Sequence, residues 1–127
     1  MNDKRVLIID DEPEICAIIS EISKECGFEV ESATTADAFK AAYSTFQPGV
    51  IILDLAVPTT DGIELFRWLE DQQCAASILI VSGFDAKVLE SAKRLGEARG
   101  LIIGGIITKP MRAREIRALL NSLEKVS

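Results

Sequence analysis

The 127-residue sequence contains no histidine. Without an imidazole, the chain cannot form a Ser-His-Asp or Cys-His nucleophile system, a histidine-ligated zinc site or a phosphohistidine of its own. Any chemistry therefore depends on carboxylates, hydroxyls, lysine and a hard metal ion.

Cysteine, basic charge and long apolar runs are also scarce. The three cysteines, at positions 16, 26 and 74, lack CxxC spacing, which predicts reduced, mostly buried thiols and a cytoplasmic protein. The formal net charge of -6 argues against nucleic-acid binding by this domain, because phosphate contacts need clustered Lys and Arg. The first apolar run, residues 6–9, is too short for a signal peptide or a membrane span, so no membrane association is expected.

Short apolar runs alternate with helical patterns along the chain. The apolar runs predict five strands, at residues 5–9, 29–33, 50–53, 77–81 and about 104–108. Helical periodicity predicts five helices, at about 13–26, 35–46, 62–69, 86–99 and 112–124. Most of the strands are nearly continuous Val, Ile and Leu, as is typical of buried parallel strands. The pattern predicts an α/β domain with a five-stranded parallel sheet, doubly wound, with helices on both faces.

Two of the predicted helices carry apolar residues whose burial the structure can test. In the first helix, the residues that recur with helical period are Ile15, Ile18, Ile19 and Ile22. In the fourth helix, the residues predicted to be buried are Val88, Ala92 and Leu95.

Polar residues follow four of the predicted strands. They are Asp10, Asp11 and Glu12 after the first strand, Asp54 after the third, Ser82 after the fourth and Lys109 after the fifth. The carboxyl ends of parallel strands meet at one edge of the sheet, where ligands bind in open α/β folds, so these side chains are expected to converge. Carboxylate oxygens suit Mg²⁺, which would offset the repulsion between adjacent carboxylates.

A carboxylate beside Mg²⁺ can act as a nucleophile toward phosphorus. Asp54 is the best candidate nucleophile, because it is the only carboxylate at the end of the apolar run IILD. Lys109 and the metal would stabilise charge on the phosphoryl oxygens, and Ser82 could donate a hydrogen bond to one of them.

Each of these residues also has a simpler interpretation when taken alone. Acidic residues after a strand often cap a helix, and a single Asp or a Ser-Gly pair often forms a turn. Lys109 before a proline would ordinarily be solvated surface. The combination favours the chemical interpretation, except for Glu12, which is predicted to be a helix cap.

Four motifs in this order, LIIDDEPE, IILDLAVPTTDG, ILIVSG and ITKP, resemble the receiver domain of bacterial two-component response regulators, the CheY-like family. The resemblance covers nearly the whole chain and implies a flavodoxin-like (βα)5 fold and a single receiver domain over residues 1–127, either complete or cut from a longer regulator. It implies that Asp54 is the phosphoacceptor of a phosphorelay. The Mg²⁺ ligands it implies are Asp11, the Asp54 carboxylate, the Ala56 backbone carbonyl and, through water, Asp10, while Ser82 and Lys109 would contact the phosphoryl group.

The same resemblance implies partners. The phosphoryl donor would be a phosphohistidine on a sensor histidine kinase or a histidine phosphotransfer protein. The domain would promote only its own phosphorylation and dephosphorylation, and so would not be an enzyme in the usual sense. An output domain or effector is expected on the surface formed by the fourth helix, fifth strand and fifth helix, at Val88, Ile106 and the outer face of residues 112–124.

The sequence departs from the receiver pattern at Ile106. Receivers usually carry Tyr or Phe three residues before the lysine, so the aromatic rotamer switch is absent and signal output must use other movements. Two other functions stay open, of which only the first follows from the missing aromatic residue. One is a receiver-like module that binds partners without phosphorylation. The other is a phosphatase of the haloacid dehalogenase type, which is disfavoured because its nucleophile comes first in the chain and is followed two residues later by Asp, whereas Asp54 is followed at that spacing by Ala56.

Overall fold

The computed structural model describes residues 2–55, 62–83 and 86–126. Within these ranges strands and helices alternate, as predicted. The strands are β1 Asn2–Ile9, β2 Glu29–Ala33, β3 Pro48–Asp54, β4 Ser77–Ser82 and β5 Ile102–Thr108. The helices are α1 Pro13–Glu25, α2 Ala36–Phe46, α3 Gly62–Asp71, α4 Ala86–Ala98 and α5 Ala113–Val126.

The five strands form one parallel sheet in the order β2-β1-β3-β4-β5. This order confirms the predicted doubly wound, flavodoxin-like class. Strand β2 is added on one side of β1, and β3 to β5 are added on the other, so the strand order switches between β1 and β3. The ends of these two strands lie side by side, in the register Ile9↔Leu53. Ligand sites in open α/β sheets lie at this point, outside the carboxyl ends of the strands.

Two hydrophobic cores cover the two faces of the sheet. Helices α2, α3 and α4 bury one face through residues that include Phe39, Leu65, Phe66, Leu69 and Leu89. Helices α1 and α5 bury the other through Cys16, Ile19, Ile22, Ile116 and Leu120. Alternate residues of β1 contribute to opposite cores, so an uninterrupted apolar strand is what the architecture requires.

Two of the predicted apolar positions are exposed, and others are half-buried. Ile18 on α1 is 53% exposed and Val88 on α4 is 45% exposed. In α4 the buried residues are Leu89, Ala92 and Gly96, spaced three and four apart, so the apolar face is rotated by one residue from the predicted one. The prediction that Val88 is buried was therefore wrong, and its side chain lies on the surface.

Strand β5 lies at the edge of the sheet rather than inside it. Its pairing with β4 shifts from Ile78↔Ile103 to Leu79↔Gly105, which leaves Gly104 as an extra residue in the ladder, as in a β-bulge. A Cβ atom on Gly105 would lie 2.8 Å from Cδ2 of Leu119, so the glycine lets α5 pack directly on this strand.

None of the helices in the described part of the chain is long and apolar enough to cross a lipid bilayer.

The end of α2 provides a test of the backbone geometry. Gln47 follows the helix with φ 52° and ψ 65°, a left-handed conformation that favours glycine. We expect Gln47→Gly to raise the free energy of unfolding by about 0.5–1 kcal/mol, because the strain on a β-carbon disappears. The matched control is Ser44→Gly inside the same helix, which should lower stability by about 0.5–1 kcal/mol. Urea unfolding checks both changes, and a loss of stability in Gln47→Gly would contradict the assigned geometry.

Candidate functional site

The sequence-predicted polar residues lie at the carboxyl ends of four strands. Asp10 directly follows β1, Asp54 and Ser82 are the last residues of β3 and β4, and Lys109 directly follows β5. The switch in strand order between β1 and β3 places Asp10 beside Asp54. The parallel topology thus brings together residues that are up to 99 positions apart in the sequence.

Three aspartates form the centre of this cluster. One carboxylate oxygen from each of Asp10, Asp11 and Asp54 lies within 4.8 Å of the other two. Asp10 and Asp54 are each only 1% exposed, and Asp11 is more accessible. Negative charges this close and this poorly hydrated repel one another strongly, so the cluster requires compensating positive charge.

Lys109 supplies part of that charge. Its Nζ lies 3.1 Å from Asp10 Oδ2, 3.3 Å from Asp54 Oδ2 and 3.7 Å from Glu12 Oε2. Burial acts to lower the pKa of Lys109, but the adjacent Asp10 and Asp54 carboxylates outweigh it, so the pKa is raised above its usual value. Lys109 therefore stays protonated throughout the physiological pH range.

One lysine leaves a negative excess in the cluster. Among the described residues of the cluster, Asp10, Asp11, Glu12 and Asp54 contribute four formal negative charges and Lys109 contributes one positive charge. Three carboxylates with converging oxygens, one of them accessible to solvent, match the oxygen ligands and the retained waters that Mg²⁺ prefers. The residues present therefore fit a divalent cation by both charge and chemistry.

The β1–α1 turn holds Asp10 through its backbone as well as its side chain. Glu12 N–H donates to Asp10 Oδ1 at 3.0 Å, and Asp10 N–H donates to the Ala33 carbonyl at 3.2 Å. Glu12 occupies the N-cap position of α1, but its side chain makes no capping hydrogen bond and lies near Lys109 instead. Glu12 is therefore a helix cap by position, as predicted, although its side chain forms no capping hydrogen bond.

Ser82 and Lys109 are joined through the backbone. Lys109 N–H donates to the Ser82 carbonyl at 2.9 Å, which ties the ends of β4 and β5 together. Ser82 is fully buried. Ile106, the position without the aromatic residue, is half-buried in β5 opposite Ile80 and packs against the α2–α3–α4 core. Ala56, the predicted carbonyl ligand, lies outside the described residues.

Cys16 has a contact at the site that sequence reasoning missed. Its Sγ lies 3.3 Å from the Asp10 carbonyl oxygen and 3.9 Å from that of Ala33. Burial and the neighbouring charge of Asp10 raise the pKa of the thiol, so it remains protonated and able to donate. The sequence placed this cysteine on a helix face, but no sequence signal points to a backbone acceptor.

The fold and the acidic site define a class of protein: a doubly wound α/β domain with a carboxylate and lysine cluster at its switch point. The family model described as the response regulator receiver domain matches residues 6–121. The chain therefore belongs to the response regulator receiver family. Receiver domains act as phosphotransfer switches in two-component signalling, bind Mg²⁺ at an acidic pocket, and interact with histidine kinases and output domains.

Individual relatives agree with this assignment. The chain is 34% identical over 97% of its length to the phosphate regulon transcriptional regulatory protein PhoB of Pseudomonas aeruginosa, covering 52% of that protein. It is 27% identical over 95% of its length to the alkaline phosphatase synthesis transcriptional regulatory protein PhoP of Bacillus subtilis, covering 48% of it. The chain thus spans about half the length of the curated relatives it matches.

Solved structures show the same fold over the whole chain. A response regulator from Colwellia psychrerythraea superposes with a TM-score of 0.84 at 34% identity, covering 99% of this chain and all of the other. The chemotaxis response regulator CheY4 of Vibrio cholerae gives 0.77 at 26% identity, with 99% and 100% coverage. Family membership leaves the haloacid dehalogenase alternative without support.

The charge excess leads to a prediction about Asp11. Asp11→Asn should raise the free energy of unfolding by about 0.5–1 kcal/mol in metal-free buffer, because it relieves repulsion in the cluster. Mg²⁺ should stabilise the wild-type protein, since a ligand that binds only the folded state shifts unfolding. The variant should lose most of that response.

Thermal unfolding with and without MgCl₂, at constant ionic strength, measures both effects. The matched control is Asp37→Asn, which removes an exposed acid in the first turn of α2. It should leave the Mg²⁺ response unchanged. A wild-type protein indifferent to Mg²⁺ would contradict the metal site.

Proposed function

We propose that the chain is the receiver unit of a response regulator, over residues 1–127, in which Asp54 accepts a phosphoryl group from a phosphohistidine. The observation that carries this proposal is the convergence at Asp54. This buried carboxylate ends a central strand, with Lys109 Nζ 3.3 Å away and two further carboxylates within reach of a shared cation. A structural ion pair would not need the additional acidic residues.

The transfer follows from the chemistry of these groups. A carboxylate oxygen of Asp54 attacks the phosphorus, the P–N bond to the donor imidazole breaks, and its electron pair returns to the imidazole nitrogen. Mg²⁺, when bound, supplies charge neutralisation for the phosphoryl oxygens. Asp11, Asp54 and the Ala56 carbonyl would hold the ion, and Asp10 would assist through water.

Lys109 and Ser82 would bind the negatively charged phosphoryl group. The phosphoryl group adds roughly -1.5 to -2 charges at neutral pH, and Lys109 lies close enough to Asp54 to bind one of its oxygens. The Ser82 hydroxyl would donate a hydrogen bond to another phosphoryl oxygen. Because Lys109 N–H bonds to the Ser82 carbonyl, movement of either residue also moves the ends of β4 and β5.

The output surface is expected on α4, β5 and α5. Val88 and Ile102 expose large apolar side chains there, at 45% and 50%. Ile106 cannot rotate an aromatic ring between buried and exposed positions, so phosphorylation would shift the position of β5 and its neighbours instead. Such a shift would favour one of two pre-existing surfaces for an output domain or effector.

Asp54→Asn tests the phosphoacceptor. Incubation of the wild-type protein with acetyl phosphate and Mg²⁺ should add one phosphoryl group to the intact mass, and hydroxylamine should remove it. The variant should show at least a tenfold lower adduct, because an amide is not a nucleophile toward phosphorus. Intact mass spectrometry measures the adduct, and a chelator should abolish it in the wild type.

Asp71→Asn is a matched control for this experiment, since Asp71 ends α3 away from the strand ends. It should be phosphorylated like the wild type. An unmodified wild-type protein, also insensitive to beryllofluoride in thermal unfolding, would instead favour the module that binds partners without phosphorylation.

The face formed by α1 and α5 supports a docking position for the donor. A groove of about 170 Å³ is lined mainly by Ile15, Ile18, Ile22, Pro110, Met111 and Ile116. Its lining also includes Lys109, which contacts the acidic cluster. Ile18 is half-exposed on this face. A donor protein seated there would bury apolar surface next to Asp54, which a small phosphodonor does not need to do.

Ile18→Asp should therefore separate protein donors from small donors. We expect at least a tenfold slower transfer from a phosphorylated histidine kinase or phosphotransfer protein, because a charge would enter the apolar contact. Phosphorylation by acetyl phosphate should change less than twofold. Val88→Asp is the matched control, because Val88 is an exposed apolar residue of α4 on the other side of the sheet. It should leave both phosphorylation rates unchanged. Equal rates in Ile18→Asp and wild type with every active protein donor would rule out this docking face.

A further inference from the structure

Cys16 is buried next to the acidic site, yet the proposed phosphoryl transfer gives it no part. It lies in the first turns of α1 and is only 3% exposed. Its Sγ lies 3.3 Å from the backbone oxygen of Asp10, within the range of a sulfur hydrogen bond, and 3.9 Å from that of Ala33. The thiol therefore contacts the turn that carries two of the three clustered aspartates.

The hydrogen-bond acceptor in this contact is the backbone carbonyl of Asp10. The Asp10 carbonyl belongs to the peptide group that links Asp10 to Asp11, so a donor on that oxygen restrains the rotation of this peptide plane. The preceding peptide group is restrained as well, because Asp10 N–H donates to the Ala33 carbonyl at 3.2 Å. Both peptide planes around Asp10 are thus held by hydrogen bonds, and Cys16 supplies the side-chain one.

The direction of the Asp11 side chain depends on the second of these planes. Asp11 is the more accessible carboxylate of the cluster, and the turn around it has no strand ladder to orient it. Its carboxylate can join those of Asp10 and Asp54 on one cation only if its backbone points the right way.

We infer that Cys16 is a positioning residue for the divalent-cation site. Its thiol orients the Asp10–Asp11 peptide so that the Asp11 carboxylate faces Asp54. This inference rests on the proposed function, because it presumes that the cluster binds Mg²⁺.

A simpler role for Cys16 is apolar packing, since it also belongs to the α1–α5 core with Ile19 and Ile22. The two roles differ in which substitution should be tolerated: packing favours valine over serine, whereas the hydrogen-bond role favours serine over valine. Serine keeps a donor but places a hydroxyl in apolar surroundings, whereas valine fills the space and cannot donate. Alanine removes both the volume and the donor.

The test is a Mg²⁺ titration of the wild-type protein and of Cys16→Ser, Cys16→Val and Cys16→Ala, followed by the shift in thermal unfolding. Cys16→Ser should bind Mg²⁺ within about twofold of the wild type, even if the metal-free protein is less stable. Cys16→Val and Cys16→Ala should bind about 3- to 10-fold more weakly, as expected for the loss of one hydrogen bond that orients a ligand. At saturating Mg²⁺ the folded variants should still be phosphorylated by acetyl phosphate.

Cys74→Ala is the matched control, because Cys74 is buried in the other core. It should lower stability and leave Mg²⁺ affinity unchanged. The inference would be overturned if Cys16→Val bound Mg²⁺ as tightly as the wild type, or if Cys16→Ser lost as much Mg²⁺ affinity as Cys16→Ala. Either result would leave the proposed function intact. A wild-type protein that binds no Mg²⁺ would overturn both.

Discussion

Repulsion among buried carboxylates is the constraint on which the site depends. Asp10 and Asp54 are almost completely removed from water, and Asp11 lies within 4.8 Å of both. The fold tolerates this arrangement because Lys109 reaches across from β5 to two of the three carboxylates. Lys109 compensates only part of the charge. The remaining negative charge fits a divalent cation, which would in turn attract a phosphoryl group.

The same lysine connects the site to the rest of the molecule. Its side chain contacts the aspartates and its backbone N–H bonds to the Ser82 carbonyl. A phosphoryl group that draws the lysine away from Asp10 would therefore disturb the ends of β4 and β5. Ile106 lies on β5, three residues before Lys109. Its aliphatic side chain can pack against neighbours but cannot form a hydrogen bond. Signal transmission in this domain is thus best sought in backbone and packing shifts.

The expected donor and output surfaces share α5 but otherwise lie on different elements. The α1–α5 face carries the groove beside Lys109 and the exposed Ile18. Two further exposed large apolar residues of the described ranges, Val88 and Ile102, lie on α4 and at the start of the edge strand β5. This separation would let a donor and an output partner contact different surfaces. Gly104 and Gly105 allow α5 to pack tightly on β5, so a movement of the strand would be passed to the helix.

The order of elements, the parallel sheet and the polar residues at its strand ends were determined by the sequence alone. Apolar runs and helical periodicity are local signals, and parallel strands necessarily place their carboxyl ends at one edge. The tertiary structure decided the rest. Which side of α4 is buried depends on how the helix sits on the sheet, so Leu89 is buried and Val88, which was predicted to be buried, is exposed. The contact between Lys109 and Glu12 and the hydrogen bond from Cys16 to the Asp10 carbonyl join residues from different elements, or a side chain to a backbone atom. Neither kind of contact leaves a pattern in the sequence, because it depends on distances that only the packed fold sets.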